Sequence, residues 1–163
     1  MALAAAGCGV VTAAFGPRCD LPAFLVLVGL ALPLGFVDAA VLRLPDPLVL
    51  AALVSGGALL AVAGHPERLA RAAAGALACG AGYAVLALLP GSPLGYGDVK
   101  LGAVLGLYLG WLGWPALVAG LVGVPVIAAP YAIYHLVTAG RRSALPYGPA
   151  MLLSALGAVV LTG

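Results

Sequence analysis

Apolar residues run through this chain in long, nearly unbroken stretches, and polar residues gather in short clusters between them. A helix needs about 20 apolar residues, within a range of about 17 to 25, to cross the hydrocarbon core of a bilayer. On that ruler, spans are predicted at 21–42, 47–64, 69–90, 99–113, 115–138 and 147–162, with a further one of marginal length at 2–17. The breaks carry helix-ending chemistry: Pro17-Arg18 and Asp20, then Arg43-Leu44-Pro45-Asp46-Pro47, then Gly64-His65-Pro66-Glu67-Arg68. Pro90-Gly91-Ser92-Pro93, Gly110-Trp111-Leu112-Gly113-Trp114-Pro115 and Gly140-Arg141-Arg142-Ser143 repeat the pattern. The expected fold is all-α: a polytopic transmembrane helix bundle with six core spans and a short extra N-terminal span, read as a single domain over 1–163.

Composition strengthens this picture. Of the 163 residues, 64% are hydrophobic and 7% charged, with a mean hydropathy of +1.21, whereas soluble domains carry about 25% charged residues. Asn and Gln do not occur. A net charge of +2, scattered along the chain, gives no footing for nucleic-acid binding. Cys8, Cys19 and Cys79 form no CxxC pair, so neither a metal cluster nor a disulfide framework is expected. Met1 to Gly16 lacks the basic start of a cleaved signal peptide.

Alternate loops share a side of the membrane. Arg43, Lys100, Arg141 and Arg142 therefore lie on one side and Arg18, Arg68 and Arg71 on the other. The excess of basic residues places the first set in the cytoplasm. Trp111 and Trp114 flank a turn on the opposite side, at the level where indoles favour headgroups. Gly102, Gly106 and Gly110 recur every four residues and line one helix face, which lets a neighbouring backbone come close. Pro125 and Pro130 are expected to bend the 115–138 span.

Against this apolar background two carboxylates stand out. Asp38 lies four apolar residues before Arg43, about one helical turn inside the membrane at ~1.5 Å per residue. Keeping a carboxylate there costs some part of the ~2.5–3.5 kcal/mol of a central position. Pairing with Arg43 or snorkelling to water would be a structural explanation. Asp98 sits in Gly95-Tyr96-Gly97-Asp98-Val99-Lys100-Leu101. It could cap the helix that follows, but capping leaves Gly95 and Gly97 unexplained. Glycines there allow positive φ and the close approach of another backbone. Asp46, followed by Pro47, reads as a helix cap with a supporting role open to it. Lys100 would anchor at the headgroups or stabilise a nearby carboxylate. His135 reads as interfacial, His65 as a loop residue. Two carboxylates meeting from different helices would share a proton and titrate as a unit, which is aspartic-protease chemistry.

At this point a resemblance becomes specific. Val37-Asp38 followed by Leu44-Pro45-Asp46, together with Gly95-Tyr96-Gly97-Asp98-Val99-Lys100-Leu101, resembles the two signature regions of the type IV prepilin peptidases. Leu145-Pro146-Tyr147-Gly148-Pro149 resembles the start of that family's last span. The three pieces fall in the family's order over roughly residues 21 to 163. The resemblance implies a GxGD-type membrane aspartyl endopeptidase of the cell inner membrane, with Asp38 and Asp98 as the catalytic pair. Gly95, Tyr96, Gly97, Lys100 and Asp46 are the substrate-binding or supporting residues. Its partners would be prepilin or pseudopilin precursors and the lipid bilayer, with leader peptides removed on the cytoplasmic side after a glycine, and with no cofactor or metal. Full-length bacterial members add a cysteine-containing insert and methylate the new amino terminus. This sequence lacks paired cysteines and resembles the short, peptidase-only members serving Tad or Flp pili. The alternatives are a small proton- or cation-coupled transporter using the same two carboxylates, and a structural assembly subunit in which both act as caps. A serine protease built on Ser55 has no suitably placed histidine.

Overall fold

The computed structural model describes residues 2–41, 44–90, 92, 94–138 and 147–162. Among these residues there are seven helices: α1 Ala2–Phe15, α2 Leu21–Val41, α3 Asp46–Val62, α4 Pro66–Leu88, α5 Tyr96–Leu112, α6 Trp114–Thr138 and α7 Gly148–Thr162. No strand occurs among the described residues. Arg43, Arg141, Arg142 and the side chain of His135 lie outside them. Among the described residues two helices, α2 and α4, are long and apolar enough to cross a membrane. The 14 residues of α1 rise only about 21 Å, short of a ~30 Å hydrocarbon core. The helix α6 continues through Pro125 and Pro130 over 25 residues.

The turns explain why successive helices reverse direction. Gly16, Gly64 and Gly113 hold φ values of 62°, 78° and 140°, a region that L side chains rarely adopt. They close the α1–α2, α3–α4 and α5–α6 connections, so all three sit at one end of the bundle. Arg71 of α4 donates from Nε to the Gly110 carbonyl at 2.9 Å and from Nη2 to the Trp111 carbonyl at 3.1 Å. It thereby satisfies the orphan carbonyls at the end of α5.

The helices α4 and α5 make the tightest pair, and the glycine stripe is the reason. A Cβ on Gly110 would meet the Arg71 carbonyl oxygen at 2.8 Å, one on Gly75 would meet the Gly106 carbonyl oxygen at 2.5 Å, and one on Gly106 would collide with the Gly75 carbonyl. Tyr83 fills the space opposite Gly102. The packing role expected of this stripe is therefore what the structure contains, with α4 as the partner.

A single buried cluster runs from Val11 in α1 to Val159 in α7. Its centre is aromatic: Phe15 and Phe24 lie 4.6 Å apart between ring centroids, and Phe24 meets the edge of Tyr108 at 5.6 Å. The Tyr108 hydroxyl donates to the Ala52 carbonyl at 3.2 Å, so this buried polar group is satisfied and fastens α5 to α3. Trp111 is fully buried, whereas Trp114 is exposed. The indole of Trp111 turns inward because it has a carboxylate to donate to there, as described below.

Candidate active site

The fold brings four segments together at the end of the bundle opposite the left-handed glycines. Asp38 occupies the last turn of α2 and is buried. Its Oδ2 accepts a hydrogen bond of 2.9 Å from the backbone N–H of Gly148, the first residue of α7. A carboxylate at a helix N-terminus meets both an unsatisfied N–H and the positive end of the helix dipole. The contact has no room for a side chain, since a Cβ on Gly148 would lie 2.5 Å from Asp38 Oδ2. Arg43, the ion-pair partner considered for Asp38, lies outside the described residues.

Asp98 is also buried. The helix begins at Tyr96, two residues before Asp98, with Gly95 at the N-cap, so Asp98 stands in the first turn and is not itself the cap. Its Oδ2 accepts from the Gly95 N–H at 3.0 Å, and its own N–H donates to the Gly95 carbonyl at 3.1 Å. This exchange is the carboxylate half of a capping box. In each acid, then, one oxygen is fixed by a backbone N–H, while Oδ1 takes no hydrogen bond among the described residues.

The flanking glycines differ from expectation. Neither has positive φ: Gly95 is extended at −89°, and Gly97 is helical. Gly97 is small for another reason, because a Cβ there would come within 3.1 Å of the Leu44 side chain. It lets the α2–α3 connection close over the start of α5. Gly95 has open space around it, the nearest atoms to a Cβ being 3.9 Å away.

Asp46 also departs from its expected role. Pro45 is the N-cap of α3 and Asp46 the first helical residue, with no side-chain capping bond. Its carboxylate instead takes the Lys100 ammonium at 2.7 Å, in an exposed ion pair that ties α3 to α5. Lys100 thus has a protein partner at this end of the bundle. Tyr96 is 76% exposed. Ser55 is half-buried and bonds back to the Ala51 carbonyl of its own helix.

Beside Asp38 an apolar groove of about 320 Å³ opens along α1, α2 and α7. Gly35, Ala39 and Pro149 line it, the last two next in sequence to Asp38 and Gly148. From the sequence alone Gly148 has no assigned role and Asp20 reads as a loop residue, yet Asp20 is buried at the opposite end of the bundle. The signal available for Gly148 was a glycine followed by proline at the start of a helix, which leaves one free N–H at the first position. None pointed to Asp20.

Comparison with known proteins places the chain among relatives. Residues 25–133 match the type IV leader peptidase family. The chain is 34% identical over 155 residues to a prepilin leader peptidase/N-methyltransferase of Aeromonas salmonicida, covering 89% of this chain and 51% of that protein. It is also 34% identical to the one from Dickeya chrysanthemi, at 89% and 52% coverage, and 42% identical over 106 residues to the one from Klebsiella pneumoniae, at 62% and 45%. The chain spans about half the length of these relatives. No solved structure is significantly similar to it. With a family match that takes in both buried acids and the segments that hold Asp98, the chain belongs to the type IV leader peptidase family.

Proposed function

We propose that this chain is a membrane aspartyl endopeptidase that removes the leader peptide of prepilin-like precursors. The observation that carries the reading is the pair of buried carboxylates, Asp38 and Asp98, supplied by different helices, one in the last turn of α2 and the other in the first turn of α5. Neighbouring carboxylates in a poorly solvated site share one proton. The ionised acid takes a proton from water as that water adds to the scissile carbonyl, and the protonated acid donates to the carbonyl oxygen. Collapse of the resulting diol returns a proton to the leaving amine and regenerates the shared-proton pair. Fixing one oxygen of each acid on a backbone N–H leaves the other oriented for this exchange. Gly95, Tyr96, Gly97, Lys100 and Asp46 frame the site, with the ion pair and the Gly97–Leu44 contact holding α3 and α5 in register. The groove beside Asp38 would seat the apolar segment of the substrate.

In this reading the helices α2 to α7 all cross the inner membrane as one unit, 1–163, with the acids facing the cytoplasm. Of the two activities in the relatives' names, we assign only the peptidase. The transporter alternative is disfavoured by position. Asp38 is in the last turn of α2 and Asp98 in the first turn of α5, at one end of the bundle, whereas coupled transporters place their sites near the midplane. The test is reconstitution in liposomes with a prepilin precursor, followed by mass spectrometry and by proton-flux recording. A single cut ahead of the precursor's hydrophobic helix, with no flux, is expected. Flux without cleavage would overturn the assignment.

A further inference from the structure

The end of the bundle opposite the two acids holds a second polar site. Asp20, at the start of α2, is 4% exposed. Its Oδ2 accepts from Trp111 Nε1 at 2.9 Å and faces Arg68 Nη1 at 3.8 Å. Its Oδ1 is buried and has no hydrogen-bond partner among the described residues. A carboxylate oxygen has strong acceptor capacity, and native proteins rarely bury one unsatisfied. Asp20 forms part of the wall of a recess of about 300 Å³ completed by Pro17, Arg18, Cys19, His65 and Arg68. Arg18 is exposed, its guanidinium resting 5.6 Å above the Phe15 ring, and His65 stands 6.1 Å from Trp111 between ring centroids. The recess is therefore lined by two arginines and by a buried carboxylate, one oxygen of which lacks a donor among the described residues. It also lies at the end of the helix axes, where a bilayer presents its headgroups.

We propose that this recess binds a phosphodiester whose headgroup also carries an N–H or O–H donor, the chemistry of phosphatidylethanolamine and phosphatidylglycerol. The phosphate is held by Arg18 and Arg68, which suit it as planar, paired donors. The headgroup's ammonium or hydroxyl donates to Asp20 Oδ1. Choline headgroups offer the phosphate without the donor and satisfy only half of the site.

The test is native mass spectrometry of the purified chain, exchanged into phosphatidylethanolamine, phosphatidylglycerol or phosphatidylcholine. Wild type is expected to retain the first two lipids over the third by about tenfold, the worth of one charge-assisted hydrogen bond. Arg18→Gln, on an exposed side chain, lowers retention of all three. Asp20→Asn replaces the acceptor-only carboxylate with an amide that can itself donate, and it removes the preference over phosphatidylcholine while leaving phosphate retention. Glycerophosphoethanolamine is the soluble arm: displacement of bound lipid by it assigns recognition to the headgroup alone, and selective lipid retention without such displacement assigns it to the whole lipid. Equal retention of all three lipids by wild type, or unchanged retention in Arg18→Gln, overturns the proposal. Neither result depends on the folding of the Asp20 variant.

Discussion

At Gly148 a single methyl group separates packing from positioning. A Cβ there would press against Asp38 Oδ2, so Gly148→Ala is expected to shift the carboxylate while leaving the rest of α7 in place. A displacement of about 1 Å costs on the order of 100-fold in rate when the moved group takes part in the reaction. Gly157→Ala on the same helix is the control, since a Cβ at that position meets nothing within 4 Å. Initial rates of prepilin cleavage distinguish the two, with circular dichroism to establish that both variants fold. Asp46 should behave differently from the buried acids. Its ion pair with Lys100 is exposed, and such pairs contribute about 0–1 kcal/mol. Asp46→Asn is therefore expected to stay folded and to keep cleaving, and complete loss of activity in a folded protein would place Asp46 in the chemistry itself.

At the scale of helices, the contact between α4 and α5 is held by closeness more than by side-chain bulk. Gly106→Val puts three carbons where Gly75 and Cys79 already press. It should destabilise the protein by roughly 1–3 kcal/mol, the usual range for overpacking. Gly82→Ala, which meets nothing, should be neutral or slightly stabilising on helix propensity alone. Thermal unfolding in detergent reads both. Helix positions were legible in the sequence because Gly, Pro and charged residues punctuate every break, and no end shifted by more than three residues. The start of α5 shifted most consequentially: placing it at Tyr96 turns Asp98 from a cap into a first-turn residue. Pairings across the bundle were not legible. Gly148 reaches Asp38 across 110 positions and Trp111 reaches Asp20 across 91, and local pattern carries no information at those separations.

For the molecule as a whole, antiparallel helices give the bundle two chemically distinct ends. Asp38, Asp46, Asp98, Lys100 and Gly148 lie at one, and Asp20, Arg68, Arg71 and Trp111 are linked at the other. The carboxylates were visible in the sequence as polar residues in apolar surroundings, whereas Asp20 was hidden among ordinary loop charges. If the bundle spans the membrane, single-cysteine proteins should label from opposite sides. Cys19, exposed at the Asp20 end, is expected to react with an impermeant maleimide added outside. A Tyr96→Cys variant should react only from within. Labelling of both from one side would contradict the two-ended arrangement. The central claim, that Asp38 and Asp98 act together as a catalytic pair, is tested most directly by a gel-shift assay of prepilin processing with Asp38→Asn and Asp98→Asn. Each variant should insert and fold but lose about 10²–10⁴-fold in cleavage rate, as expected for removal of a positioned acid or base. Wild-type cleavage by either folded variant would contradict the account.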